Sequence, residues 1–254
     1  MSPAVVGMAY LADTLWMLGF PEQADQSRLD ALELAAKIKH PMTSCYALAR
    51  SCWLSITNGD NETLQDQSRK LYQVTQKYGF KVFEYATVVF DIWAKMQNGI
   101  TGGKKIEQLY QAIENYGAMG TLLNRPSFLV LFGRACGKSG YIERGLLVVN
   151  ESIELAEKTG ELWYQAEAFR EQGRLLIQQN TDLNEAENCF LTAYEIARQQ
   201  QAKMLELRAV ISLYKLWQQQ GKENGRELLA QIYGSFTEGF DTPDLLAAKA
   251  LLTI

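Results

Sequence analysis

Apolar residues recur along this chain at intervals of three and four, as in Leu29, Leu32 and Ala36 or in Phe190, Ala193, Tyr194 and Ala197. That spacing gathers them on one face of a helix. No Asn-Gly or Asp-Gly pair is flanked by alternating apolar and polar residues, so no β-hairpin is predicted. Pro3, Pro21, Pro41, Pro126 and Pro243 each stand beside a break in the periodicity. A proline inside a helix costs about 3 kcal/mol, so these residues outline helices instead of interrupting them. The pattern predicts an all-α chain.

The breaks themselves are periodic. Gly19, Gly59, Gly99, Gly140, Asn180 and Gly221 each fall between two helical patterns, at intervals of 40, 40, 41, 40 and 41 residues. Glycine and asparagine are the residues that take the left-handed conformation ending a helix. Six helix hairpins are therefore expected in a single repeat domain over 1–254, at about 3–39, 42–79, 81–118, 125–159, 161–201 and 202–237. A capping helix over 243–253 should follow, with Thr242 as N-cap and Pro243 in the first turn.

Small residues identify the repeat. The tetratricopeptide pattern wants one seven before the turn glycine, then others five and twelve after it. Ala12, Gly19, Ala24 and Ala31 fit, as do Gly133, Gly140, Gly145 and Ser152. Gly173, Ala186, Phe190 and Ala193 fit after one inserted residue, whereas Ile92 and Tyr214 occupy the small position of the third and sixth repeats. The standard unit is 34 residues long, so the surplus implies longer helices. HEAT-type repeats share the length of about 40 but lack this phase. The expected fold is a right-handed α-α superhelix, a tetratricopeptide-like solenoid.

Composition changes this picture little. Hydrophobic residues make up 47% and charged residues 21%, as in ordinary globular chains. A net charge of −4 speaks against binding to nucleic acid or to an anionic membrane. One histidine excludes sites that need two. No Lys or Arg precedes Arg28 and Asp13 interrupts the first apolar run, so a signal peptide is not expected. Cys45 and Cys52 are seven apart, two helical turns, which is too far to bridge. The four cysteines read as small buried residues of a cytoplasmic protein.

Two motifs tempt. Gly137-Lys138-Ser139 lacks the glycine five residues earlier that a phosphate-binding loop needs, since Phe132 stands there. His40 precedes Pro41 at what reads as a helix end, where a cation suits the dipole. Neither has a catalytic partner, so no enzyme, cofactor or metal site is expected. The groove phase is more informative. In stacked hairpins the first helix of each pair lines the inner face. That phase selects Trp16, Tyr46, Trp53, Trp93 and Met96 in the first three repeats. It selects Arg134, Lys138, Arg170, Arg174, Arg208 and Lys215 in the last three, with Glu167 and Glu206 nearby as balancing carboxylates. An acidic chain would then hold a groove that is aromatic at one end and basic at the other. Arginine suits carboxylates and phosphates because its planar fork makes two hydrogen bonds.

Residues 157–176 (EKTGELWYQAEAFREQGRLL), 185–222 (EAENCFLTAYEIARQQQAKMLELRAVISLYKLWQQQGK) and 233–252 (YGSFTEGFDTPDLLAAKALL) carry a resemblance, joined more loosely by 15–24 (LWMLGFPEQA). The chain resembles the C-terminal tetratricopeptide region of bacterial signalling proteins. In these, an adenylate/guanylate-cyclase-like domain and an AAA-type ATPase come first. Tyr214 and Lys215 stand where that family tends to have a small residue and an arginine, Ser235 where it has a tryptophan, and Gly225 where an alanine is usual. The resemblance implies a non-catalytic interaction and regulatory module. Its partner would be a protein, an acidic peptide segment or a sister cyclase or ATPase domain. A sensor of a small ligand or peptide signal is the alternative. The chain begins almost directly in a helix and ends just past the capping helix, which suits an excised region.

Overall fold

A computed structural model describes every residue except 121, 122, 181, 182, 223, 224 and 254. The described residues form thirteen α-helices and no strand. They divide into two compact units, residues 1–16 with 20–121 and residues 17–19 with 122–254.

The first unit is built on α1 (Pro3–Leu18), α2 (Pro21–Ile38), α3 (Pro41–Asn58), α4 (Asn61–Tyr78), α5 (Lys81–Gln97) and α6 (Gly103–Ala118). Each helix from α2 to α5 packs on the next, and the first helices of neighbouring hairpins, α3 and α5, also meet. Small residues set the spacing at the start: Val5, Ala31, Ala35 and Ala47 form one buried cluster across α1, α2 and α3. The Asp60 carboxylate caps α4 by accepting from the Thr63 N–H at 3.0 Å. His40 does the same for α3, its ring Nδ1 accepting from the Thr43 N–H at 3.4 Å. His40 therefore opens a helix, contrary to the expectation that it closes one.

The second unit contains α7 (Arg125–Lys138), α8 (Ile142–Thr159), α9 (Gln165–Gln178), α10 (Leu183–Gln199), α11 (Lys203–Gln219), α12 (Arg226–Tyr233) and α13 (Pro243–Thr253). Consecutive helices again pack in pairs, and α9 touches both α7 and α11. Phe190 fills the place against Gly173, where an added Cβ would stand 2.7 Å from its ring. Backbone approach, not flexibility, explains that glycine. Gly225 is likewise a packing glycine. A Cβ there would meet Tyr214 Cδ2 at 2.7 Å and Trp217 Cε3 at 2.8 Å. The large Tyr214 at the small position is thus matched by the loss of a methyl opposite it. At α13 the Thr242 carbonyl accepts from Leu246 N–H at 2.9 Å, while its hydroxyl donates to Gly239 O at 2.7 Å.

Gly19, Gly59, Gly99, Gly140, Asn180 and Gly221 all have positive φ, between 57° and 91°. A second set closes the second helices: Lys39, Gly79, Gly120, Gly160 and Gln201, with φ between 56° and 76°. The repeat therefore has two left-handed turns per period, the second marked by glycine at three of these five positions.

Candidate functional site

The predicted basic positions converge within the second unit. Arg134 comes from α7, Arg170 and Arg174 from α9, and Arg208 from α11. They do not form a solvated stripe. Their side chains are only 11–29% exposed, and they close on two carboxylates of α9 that are themselves buried, Glu167 and Glu171.

Glu167 is the centre of this network. Arg170 grips it in bidentate fashion, Nε to Oε2 at 2.8 Å and Nη2 to Oε1 at 2.6 Å. Arg134 pairs with the same Oε1 through Nη2. Arg208 Nη1 approaches it at 3.7 Å. Glu171 takes Arg174 through Nε at 2.8 Å and Arg134 Nε at 3.4 Å. Asp244, from α13, receives Arg208 through Nε at 2.8 Å and Nη2 at 2.7 Å. Arg170 Nη1 donates to Ser212 Oγ at 3.4 Å.

Burial pushes the Glu167 carboxyl upward, but Arg170 and Arg134 outweigh it and hold its pKa well below the usual carboxylate range. Burial opposes the Arg134 charge, and Glu167, Tyr164 and Glu171 more than restore it. Partial burial, together with the nearby Arg134 and Arg174, lowers the Lys138 ammonium below its ordinary value. Glu206, expected as a balancing carboxylate, is only half-buried and makes no ion pair with these arginines among the described residues; burial raises its pKa.

Above the network lies an open cleft of about 440 Å³. Arg134, Arg170, Arg174, Arg208 and Lys215 line it, with Asp244 the lining carboxylate. Ile177, Phe190, Ile211 and Leu216 supply its apolar surface. Lys215 is exposed and ion-pairs with none of the described residues. Lys138 is exposed at the end of α7, one helical turn beyond Arg134. Its Gly-Lys-Ser tripeptide closes a helix, whereas a phosphate-binding loop opens one.

The aromatic half of the prediction is corrected. Trp16, Trp53 and Trp93 are 1%, 3% and 4% exposed, and Met96 is equally buried. A large apolar ring is drawn into the nearest interhelical contact, and core and groove phases lie within a fraction of a turn of each other. Tyr46 is half-buried beside Tyr10, with ring centroids 6.3 Å apart. The Arg50 guanidinium lies 5.6 Å from the Tyr10 ring and pairs with Asp13. That pair again links first helices, α3 and α1, and was not foreseen. Cys45, Cys52 and Cys136 are buried and Cys189 partly so, all as free thiols. Burial raises the thiols of Cys45 and Cys189 to about 11 and of Cys136 to about 12, which keeps them unreactive. No group of three potential metal ligands occurs among the described residues. No described helix is long and apolar enough to cross a membrane.

Comparison with known proteins bears on the fold. No protein-family profile matches the chain. A solved structure from Pyrococcus horikoshii, a signal transduction ATPase with numerous domains (STAND) carrying a tetratricopeptide repeat sensor, superposes on 98% of the chain with a TM-score of 0.53 and 13% identity. The fold is tetratricopeptide-like. An uncharacterized protein of Rhizobium meliloti (strain 1021) is 24% identical over 213 residues, 84% of this chain. The chain spans 38% of the Pyrococcus protein and 20% of the Rhizobium one. In these tetratricopeptide-like repeats the basic cleft is lined mainly by the first helices α9 and α11, and the α9 carboxylates are buried against its arginines.

Proposed function

We propose that the chain is a non-catalytic regulatory and protein-interaction scaffold, a single repeat domain over 1–254, serving a cyclase- or ATPase-linked signalling protein in the cytoplasm. Its ligand is an acidic segment of a partner or sister domain, bound in the basic cleft of the second unit; nucleic acid and membrane are not partners. The observation that carries this reading is the cleft itself. Five cations line it and three carboxylates meet them, so it keeps a positive surplus in a chain of net charge −4. Focused local charge raises the encounter rate with an oppositely charged segment. The Pyrococcus protein's tetratricopeptide repeats are described as a sensor, which supports the regulatory part.

The test is binding of acidic peptide pools to the chain and to its Lys215→Glu variant, which reverses the exposed cation of the cleft and leaves the buried network intact. Binding should weaken as salt rises and fall strongly in the variant, with helicity retained. Unchanged affinity in a folded variant would refute the reading. A second reading, a small-ligand sensor, is favoured by the cleft volume of about 440 Å³, which falls in the range of small-molecule sites. A ligand of that kind would raise the thermal stability of the second unit without any peptide.

A further inference from the structure

We infer that the cleft recognises a dianionic phosphoryl group, held between Arg174 and Lys215. The inference rests on the reading of the cleft as the site of an acidic segment and narrows what that segment must carry.

Charge is the first argument. The cations lining the cleft exceed the carboxylates that meet them by two: Arg134, Arg170, Arg174, Arg208 and Lys215 against Glu167, Glu171 and Asp244. A phosphoryl group carries about −1.5 to −2 at pH 7 and cancels that surplus, whereas one carboxylate cancels half of it.

Geometry is the second. A carboxylate is best met by a coplanar pair of N–H groups from one guanidinium. Here the coplanar forks are already occupied. Arg170 spends Nε and Nη2 on Glu167, Arg174 spends Nε and Nη2 on Glu171, and Arg208 spends Nε and Nη2 on Asp244. What remains is Arg174 Nη1, the Lys215 ammonium and, one helical turn beyond Lys215, the Gln219 amide. Among the described residues none of these three groups has a hydrogen-bond partner. They come from two helices, α9 and α11, and line the same cleft. Donors arranged in that way suit the three oxygens of a tetrahedral group. Ile177 and Ala247, partly exposed in the same cleft, can take the carbon atoms to which such a group is attached.

The experiment uses the whole chain and three labelled acidic peptides that differ at one central position: phosphoserine, glutamate or serine. Fluorescence anisotropy should show the phosphoserine peptide binding at least about tenfold tighter than the glutamate peptide, a difference of about 1.4 kcal/mol. Lys215→Gln should bring the phosphoserine peptide to the level of the glutamate peptide. This side chain is exposed and ion-pairs with none of the described residues, so a folded variant is expected; Arg174→Gln should act in the same direction. Lowering the pH from 7.5 to 5.5 crosses the second phosphate ionisation near 6. It should weaken the phosphoserine peptide several-fold and leave the glutamate peptide unmoved. Inorganic phosphate is the competitor that separates sources. Displacement at millimolar concentration assigns recognition to the free group, and no displacement, with the peptide preference intact, assigns it to a peptide-borne one. Equal affinity for the phosphoserine and glutamate peptides, or a preference that survives Lys215→Gln, would overturn the inference and leave the acidic-segment reading standing. If no peptide binds, that reading falls and the inference with it.

Discussion

Replacing Glu167 by glutamine tests whether the second unit depends on its buried charge. The substitution keeps the shape of the side chain and removes its negative charge. Glu167 is 1% exposed, and the guanidinium groups of Arg134, Arg170 and Arg208 all face it. Glutamine would leave one acceptor for these donors and turn an NH2 group toward one of them. Removing one partner of a buried ion pair costs about 3–5 kcal/mol, because the remaining charge stays desolvated. That is a large fraction of the roughly 5–15 kcal/mol that holds a typical domain. Urea unfolding should therefore show a lower midpoint at nearly unchanged slope. Hydrogen exchange should localise the loss to α7, α9 and α11. Asp66→Asn is the control. Its carboxylate pairs with Arg69 and Lys70 at the surface, and such pairs contribute less than about 1 kcal/mol. The same variant fixes the sign of the acid response. The Glu167 pKa is depressed on folding, so its contribution is complete above the unfolded value near 4.3 and is lost as pH falls below it. Glu167→Gln should flatten that part of the acid limb. A cost under about 1 kcal/mol, with exchange in α9 unchanged, would mean that the arginines relax into the open cleft. The carboxylate would then not be what holds them.

Gly225→Ala should destabilise the second unit by about 1–3 kcal/mol, the usual cost of overpacking, and Tyr214→Ala in the same chain should recover part of it; thermal melts of the two variants and the pair decide. Deleting residues 238–254 removes the buried Leu245 and Ala248 and the Asp244 partner of Arg208. The shortened chain should aggregate at concentrations where the full chain stays monodisperse in light scattering. The purified chain should neither hydrolyse ATP nor form a cyclic nucleotide, since Lys138 closes a helix. Turnover that disappears in Lys138→Ala would show otherwise.

Much of the fold was written in residues with few conformational options. Gly19, Gly59, Gly99, Gly140, Asn180 and Gly221 mark a turn because glycine and asparagine tolerate positive φ. The companion turn is marked by Gly79, Gly120 and Gly160 but not at its two ends, where Lys39 and Gln201 adopt the same φ while carrying full side chains. Nothing local distinguishes such residues from helical ones. The repeat phase also put Arg134, Arg170, Arg174 and Arg208 on related faces. It did not reveal their burial, because the partners of Arg134 lie 33 and 37 residues away, on the next first helix. A signal was available in that offset. It is one repeat less one or two helical turns, which returns to the same face one helix on. The tryptophans misled for a different reason. Equal spacing of Trp53 and Trp93 reports a shared environment, and a shared core position repeats as faithfully as a shared surface one.

Repeat proteins are ordinarily treated as strings of exchangeable beads, each touching only its neighbours. The fifth hairpin of this chain touches only its neighbours too, but it is not exchangeable. Helix α9 supplies Glu167 and Glu171, the carboxylates on which arginines from both adjoining hairpins converge. Substituting an idealised consensus hairpin for it would take Glu167 and Glu171 away from Arg134 and leave Arg208 with Asp244. An engineer who wishes to shorten, lengthen or transplant this array must therefore move three hairpins as a block. Natural drift meets the same constraint: a change at Glu167 is tolerable only in company with changes on two other helices.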